Sequence, residues 1–305
     1  MNVPIEIGMS TTGADDVVAR ARRLETLGYD YISVGEHVSF NLPTASPLVA
    51  LGAAAAVTSR IKLMTSILLV PIYPAALLAK MTATLDHISD GRFELGVGVG
   101  GENPVEIEAC GVPVSQRGRR ADDTLEILRR LWTEDAVDHN GRYATLRGIT
   151  ISPKPAQHPH PPIWVSGRKD AALRRAARFG DGWLPYMYSP EMIQDSLARL
   201  KLLCAEYGRD PSSIRSGALV FISCHRDPAL AREHALQRLS GQYKQDFSPI
   251  LDRYVAHGNP ERVRARIGEY VDAGVDALFV GPACPEEFTA EHEQLLANEL
   301  LPALR

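Results

Sequence analysis

Short apolar runs alternate with amphipathic helical patterns along almost the whole chain. Repeated strand–helix units predict parallel strands joined by right-handed crossovers. Eight such units in about 250 residues plus insertions are typical of a (β/α)8 barrel. An open, doubly wound sheet is the alternative, but no linker or change of composition divides the chain. We therefore predict one α/β domain, a TIM barrel over residues 1–305, with strands at 3–8, 29–34, 61–69, 93–97, 163–165, 183–184, 218–223 and 277–280.

Two stretches interrupt this alternation. Residues 133–161 contain Asn140-Gly141, which favours a tight hairpin, and end in a proline-rich segment. Residues 241–258 show no regular pattern. We predict insertions after the fourth and seventh strands and before the fifth, and we expect 241–258 to help form the wall of a substrate site.

The charge balance argues against nucleic-acid and membrane partners. Lys and Arg total 33 against 37 for Asp and Glu, a formal net charge of −4, so no general attraction to polyanions exists. The most apolar run, 47–57, is shorter than the ~20 residues that span a bilayer. The four cysteines form no C-x-x-C pair, which indicates reduced thiols. We predict a cytoplasmic protein that acts on a small molecule.

A glycine-rich segment, 96–101, follows the fourth predicted strand. It matches G-x-G-x-x-G literally, but Pro104 and Pro113 interrupt the helix that a dinucleotide-binding fingerprint requires at this point. We therefore reject a Rossmann interpretation. Glycines at a strand end also allow the backbone to approach a ligand closely, and a flat ligand on a barrel fits that interpretation.

Polar residues follow three other predicted strands, at the face where barrel enzymes place their active sites. Glu36-His37 follows the second strand, and a histidine there can exchange a proton near neutral pH. Thr65-Ser66-Ile67 ends the third strand. Ser166-Gly167-Arg168 follows the fifth, where amides and a cation suit an anion. Taken locally, each could equally be an ordinary loop or turn. His158-Pro159-His160 lacks a third ligand nearby, so no metal site is predicted.

The series of motifs, taken in order, resembles the bacterial luciferase-like oxidoreductase family. The motifs that carry the resemblance are Glu36-His37, Thr65-Ser66-Ile67, the run LDHISDGR at 85–92, the glycines at 96–101, Arg117 with Leu131-Trp132, the PKP…PPI segment at 153–163 and GDGW at 180–183. The resemblance covers roughly residues 5–185 well and the final third loosely.

This resemblance implies a (β/α)8 barrel that binds FMN or the deazaflavin coenzyme F-420. It implies a proton-transfer role for His37 and a neighbouring polar role for Glu36. It also implies a cis peptide between Ser66 and Ile67 behind the ring. Cofactor-lining positions implied by the resemblance are Thr65, Ser66, Ile67, Val99, Gly100 and Gly101, with Ser166, Gly167 and Arg168 near the phosphate.

Some deazaflavin-dependent sugar-phosphate dehydrogenases carry a catalytic glutamate just after the strand-four glycines. Here Gly101 stands at that position and Glu102 one step later, which argues against that reaction. We expect hydride transfer between F-420 and an organic substrate. The alternatives are an FMN-dependent monooxygenase and a flavin-binding barrel without turnover, which would bind cofactor but oxidise nothing. The family resemblance also implies a homodimer.

Overall fold

The computed structural model describes residues 5–12, 16–101 and 103–304. The strands in this part of the chain are β1 Glu6–Thr11, β2 Tyr31–Val34, β3 Lys62–Thr65, β4 Leu68–Leu69, β5 Phe93–Gly98, β6 Val137–Asn140, β7 Thr145–Ile149, β8 Ile163–Ser166, β9 Gly182–Leu184, β10 Arg215–Cys224, β11 Val255–Gly258 and β12 Ala277–Pro282.

The helices are α1 Val17–Leu27, α2 Pro47–Ala55, α3 Ala75–Ile88, α4 Pro104–Ala109, α5 Arg117–Thr133, α6 Asp170–Phe179, α7 Pro190–Glu206, α8 Pro228–Tyr243, α9 Leu251–Tyr254, α10 Pro260–Asp272, α11 Thr289–Glu299 and α12 Leu301–Leu304. Proline opens several of them at a position where its missing N–H costs nothing, as in α2, α7, α8 and α10. No helix in the described ranges is both long and apolar enough to cross a bilayer.

Eight parallel strands close into a barrel. Around its circumference they run β1, β2, β3, β5, β8, β9, β10 and β12, and β12 pairs again with β1. The short strand β4 continues the third position and pairs with β5. Each strand is followed by helical structure on the outside, so the predicted (β/α)8 barrel is confirmed.

All eight predicted barrel strands have a counterpart in this sheet. The hairpin predicted at Asn140-Gly141 is also present, because β6 and β7 pair antiparallel with Asn140 opposite Thr145. The description of 241–258 as irregular is wrong in part. Helix α8 continues to Tyr243. Val255–Gly258 forms β11, which pairs parallel with the carboxyl-terminal end of β10. A four-residue strand after a short helix gives too brief an apolar pattern to recognise.

A buried polar network fills the amino-terminal end of the barrel. The Trp164 indole donates to Glu94 at 2.5 Å, and the Tyr31 hydroxyl lies 3.0 Å from both Glu94 and Glu6. Lys62 and Arg215 pair with Glu6. Because these groups satisfy one another, the barrel interior is plugged at this end and any ligand site belongs at the opposite, carboxyl end.

A buried histidine on α11, His292, makes the free energy of unfolding depend on pH. His292 Nε2 accepts a hydrogen bond from the Cys224 amide at 3.1 Å. Burial, together with the charges of Arg20 and His234, lowers the pKa of His292 to about 3. The folded protein therefore keeps this imidazole neutral, while the unfolded chain takes up a proton below about pH 6.5. The stabilisation is complete above pH 6.5 and is lost as the pH falls toward 3.

We expect His292 to reduce the free energy of unfolding by about 2 kcal/mol between pH 7 and pH 5. Urea unfolding of wild type and His292→Gln at both pH values measures it, since glutamine retains an acceptor for Cys224 but does not titrate. The variant should lose about 2 kcal/mol less than wild type over this interval. Equal losses in the two proteins would show that His292 does not carry this proton uptake.

Candidate active site at the carboxyl ends of the barrel strands

A cavity of about 970 Å³ opens at the carboxyl ends of the barrel strands. Its wall includes residues at or just after the ends of all eight positions, from Ser10 on β1 to Pro282 on β12. Ten of the eleven predicted site residues lie in this wall: Glu36, His37, Ser66, Ile67, Val99, Gly100, Gly101, Ser166, Gly167 and Arg168. The closed barrel brings them together although they are spread over more than a hundred residues of sequence.

Thr65 is the predicted site residue that the structure does not bring to the cavity. Its side chain is fully buried, and its hydroxyl donates to the Gly96 carbonyl at 2.6 Å on the neighbouring strand. The next two residues do reach the wall. The peptide bond between Ser66 and Ile67 is cis, as predicted. The Ser66 hydroxyl bonds to Ser33 at 3.0 Å, which anchors this segment to β2.

The strand-four glycines allow close packing beside this segment. A Cβ on Gly98 would lie 2.4 Å from Ile67 Cδ1, so any larger residue here would displace the Ile67 side chain. Gly100 has a φ of 71°, a left-handed conformation that favours glycine. A Cβ added to Gly101 would face open space, with no neighbouring atom within 4 Å. Glu102, the departure noted in the sequence, lies outside the described residues.

Glu36 is buried, and other groups of the protein hold its carboxylate. The Leu69 amide donates to it at 2.7 Å and the Tyr73 hydroxyl donates to its other oxygen. Burial raises the pKa of Glu36, and the hydrogen bonds from Tyr73 and Leu69 oppose the rise. The geometry therefore ties the loop after β2 to the segment after β4, and Glu36 contributes to the shape of the site.

His37 is held by a carboxylate that the sequence pattern did not single out. Nδ1 of His37 lies 3.1 Å from Glu106 Oε1, and Glu106 is almost completely buried. The Val38 amide donates to the same carboxylate at 2.9 Å, and the Phe40 ring stacks on His37 at 4.0 Å between centroids. Glu106 lies on the short helix α4. Its signal in the sequence was an acidic residue in a helical turn just after the glycine loop.

One end of the cavity is rich in cations. Arg168 and Lys169 follow Ser166-Gly167, and Arg175 lies beneath them, paired with Asp122 at 2.7 Å. Arg117, at the start of α5, also lines this end. Its buried Nε has no hydrogen-bond partner among the described residues. Guanidinium and ammonium groups gathered at one end of a cavity suit an anionic group such as a phosphate.

These features define a class of protein: a (β/α)8 barrel with a large cavity at the carboxyl ends of its strands, lined in part by glycines, cationic at one end and with a carboxylate-held histidine in its wall. In the described ranges, no group of three or more His, Cys, Asp or Glu residues is arranged to bind a metal ion. The chain belongs to the luciferase-like monooxygenase family, whose profile matches residues 2–277.

Two curated relatives show different kinds of match. An uncharacterized protein of Mycobacterium tuberculosis is 38% identical over 167 residues, which are 55% of this chain and 57% of that protein. The matched segment thus spans little more than half the length of that relative. An F-420-dependent glucose-6-phosphate dehydrogenase of Intrasporangium calvum is 25% identical over 327 aligned positions, covering 96% of both chains.

Solved structures share the whole architecture. Monooxygenase RslO1 of Streptomyces bottropensis superposes with a TM-score of 0.87 at 26% identity, over 99% of this chain and all of that one. An F-420-dependent secondary alcohol dehydrogenase, solved with an F-420–acetone adduct, superposes with a TM-score of 0.86 at 21% identity, over 99% and 100% of the two chains. The second likeness is one of fold alone.

Proposed function

We propose that this protein is an oxidoreductase that transfers a hydride between coenzyme F-420 and an organic substrate. The observation that carries the proposal is the His37–Glu106 pair at the mouth of the large cavity. Ser66-Ile67 and the loop at 99–101 would hold the ring. Ser166, Gly167 and Arg168 would hold the phosphate, together with Arg117.

The chain's own residues would manage the proton. Bound F-420 supplies or accepts the hydride. Glu106 accepts the Nδ1–H of His37, which orients the imidazole, and we assign proton exchange with the substrate to Nε2. His37 would take the hydroxyl proton of an alcohol as its C–H bond is broken, or return that proton to a carbonyl oxygen in the reverse direction. A buried carboxylate next to the ring stabilises the imidazolium that forms.

Glu36 would act through the loop that carries His37. Its carboxylate joins the Leu69 amide to the Tyr73 hydroxyl, so the backbone after β2 is fixed relative to the ring-binding segment. This arrangement supports a positioning role for Glu36 more than direct proton transfer.

The relatives support the deazaflavin, and one of them supports the alternative. The curated dehydrogenase that aligns over 96% of this chain uses F-420. RslO1, at 26% identity, is a monooxygenase, which favours FMN-dependent oxygen chemistry as the second candidate. The cavity of about 970 Å³ is open, and the Val99-Gly100-Gly101 loop has little side-chain bulk, so the long tail of the deazaflavin has room. A monooxygenase would instead need a closed pocket to protect an oxygenated flavin.

Cofactor titration tests the proposal. We expect oxidised F-420 to bind with micromolar affinity, followed by its absorbance and fluorescence, and to bind more tightly than FMN. Arg117→Gln should weaken this binding by about 10- to 100-fold, because a charge-assisted hydrogen bond to phosphate is lost. Arg119→Gln is the matched control, since Arg119 is exposed on the same helix and lies outside the cavity wall.

Three outcomes would change the assignment. Micromolar FMN binding without F-420 binding promotes the monooxygenase. Binding of F-420 with no substrate-dependent change of its redox state over a broad panel of alcohols and carbonyl compounds promotes the non-catalytic barrel. Equal effects of Arg117→Gln and Arg119→Gln remove Arg117 from the phosphate site.

A further inference from the structure

The cavity has a second cationic end, on the side away from Ser166. Arg20 and Arg238 lie in its wall, with Cys284 between the end of β12 and α11. Burial raises the pKa of the Cys284 thiol to about 11. A hydrogen bond with Thr289 and the charges of Arg238 and Arg20 oppose that rise, and the charge of Glu293 adds to it. The guanidinium groups of Arg20 and Arg238 therefore both lie near the buried Cys284 thiol.

The two arginines differ in how they are paired. Arg20 donates from Nε to Glu293 at 2.7 Å and also bonds to Thr11, and Arg23 bonds to the same fully buried carboxylate. Glu293 is thus shared between two cations. Arg238 has no part in this pairing, and its buried Nε has no hydrogen-bond partner among the described residues.

The Arg238 guanidinium donates no hydrogen bond and forms no ion pair among the described residues. It lines the cavity, so a carboxylate or phosphate oxygen there would form a charge-assisted hydrogen bond with its Nη groups. Glu286 and Glu287 also line this end, but both are exposed, where water and salt weaken their fields. Asp16, also in this wall, is exposed as well. Arg20 and Arg23 share Glu293, whereas Arg238 has no acidic partner among the described residues.

Helix α8 links Arg238 to the aromatic side chains that pack beside His37. Gln242 and Tyr243 lie about one turn further along α8, roughly 6 Å at 1.5 Å per residue. The Gln242 carbonyl accepts from Asn41 at 3.2 Å, and the Tyr243 ring packs edge-on against Phe40. Phe40 in turn stacks on His37. Arg238 thus lies one helical turn beyond the aromatic wall that covers His37.

We infer that Arg238 forms an anion subsite, which binds a carboxylate or phosphate group of the substrate several bonds away from the carbon that exchanges hydride. The inference rests on the proposed function, since it names the substrate class of that site. The cofactor phosphate would occupy the Arg117 end, so the two ends of the cavity would hold two different anions with His37 between them.

The first experiment observes the subsite directly. In protein labelled with ¹⁵N-arginine, the Nε–H resonance of Arg238 is assigned by its loss in Arg238→Lys. Inorganic phosphate and acetate are titrated separately, with and without F-420. The Arg238 resonance should move saturably with at least one of these anions in both states, and the preferred anion distinguishes a phosphate from a carboxylate substrate. Because this resonance is absent from Arg238→Gln, calorimetric titration of the anion with F-420 bound compares the variants, and Arg238→Gln should weaken that anion's binding by about 10- to 100-fold.

The matched control is Arg232→Gln, because Arg232 is exposed on the same helix and is not part of the cavity wall. It should leave the anion affinity unchanged. The inference is overturned if neither anion moves the Arg238 resonance, or if Arg232→Gln weakens binding as much as Arg238→Gln. It is also overturned if F-420 alone moves the resonance to the anion-bound position, since the subsite would then serve the cofactor tail.

The second experiment concerns turnover. With hydroxy acids and phosphate monoesters of diols, each compared with its neutral alcohol, Arg238→Gln should raise KM for the anionic compounds at least tenfold. It should leave KM of the neutral alcohols and kcat nearly unchanged. An equal rise for charged and neutral compounds would contradict the inference. If F-420 does not bind at all, the proposed function fails, while the Arg238 resonance in cofactor-free protein still decides the anion subsite.

Discussion

Replacing His37 with alanine should slow turnover by about 10²–10⁴-fold, the usual contribution of a general acid–base group. F-420 affinity should stay within about twofold, because the phosphate end lies elsewhere in the cavity. Steady-state kinetics on an identified substrate and a fluorescence titration of the cofactor measure the two effects. His158→Ala is a suitable control, since His158 is exposed and lies outside the cavity wall.

Glu106→Gln removes the negative charge beside the imidazolium and one of the two acceptor oxygens. Glutamine can accept the Nδ1–H of His37 through its one oxygen, but its NH2 group then faces the Val38 amide, which Glu106 accepts at 2.9 Å. We expect a rate between wild type and His37→Ala, with a changed dependence of kcat on pH. Full activity of His37→Ala on a confirmed substrate would refute the proton-transfer role of His37.

Replacing Gly96 with alanine should destabilise the protein by about 3 kcal/mol or more, as expected when atoms are forced into a closely packed interior. A Cβ at this position would lie 1.9 Å from the Thr65 carbonyl oxygen and 3.0 Å from the Met64 side chain. The clash is with the backbone of the neighbouring strand, which cannot rotate away as a side chain can. Urea unfolding at pH 7 measures the loss.

Gly101→Ala is the control for this prediction. It lies in the same glycine-rich segment, but a Cβ there meets no atom within 4 Å. Its free energy of unfolding should remain within about 0.5 kcal/mol of wild type, as for most substitutions away from packed features. Similar destabilisation in both variants would show that the contact with Thr65 does not govern the loss.

Most of the candidate site could be predicted from the sequence because its residues follow recognisable strands. His37, Ser66 and Ser166 each come directly after a short apolar run, and parallel strands of one barrel end at the same face. Thr65 was misplaced for a related reason. Successive side chains of a strand point to opposite faces, and the Thr65 side chain is turned into the sheet, where its hydroxyl donates to the Gly96 carbonyl.

Glu106 and Arg238 could not be predicted in this way. Both lie on helices, at positions that look like ordinary polar faces. Their importance comes from partners that are distant along the chain: Glu106 contacts His37, 69 residues earlier, and Arg238 faces the wall formed by Arg20 and Cys284.

The sequence by itself determined the barrel, through the period of its apolar runs, and it determined the family, through local motifs after strands. Those signals are local, since each depends on a few consecutive residues. The tertiary structure decided which polar groups are buried and what they contact, including the pairing of His37 with Glu106 and, among the described residues, the unpartnered Nε of Arg117 and of Arg238. Burial and charge pairing depend on the packing of distant segments, so they exist only once the barrel has closed.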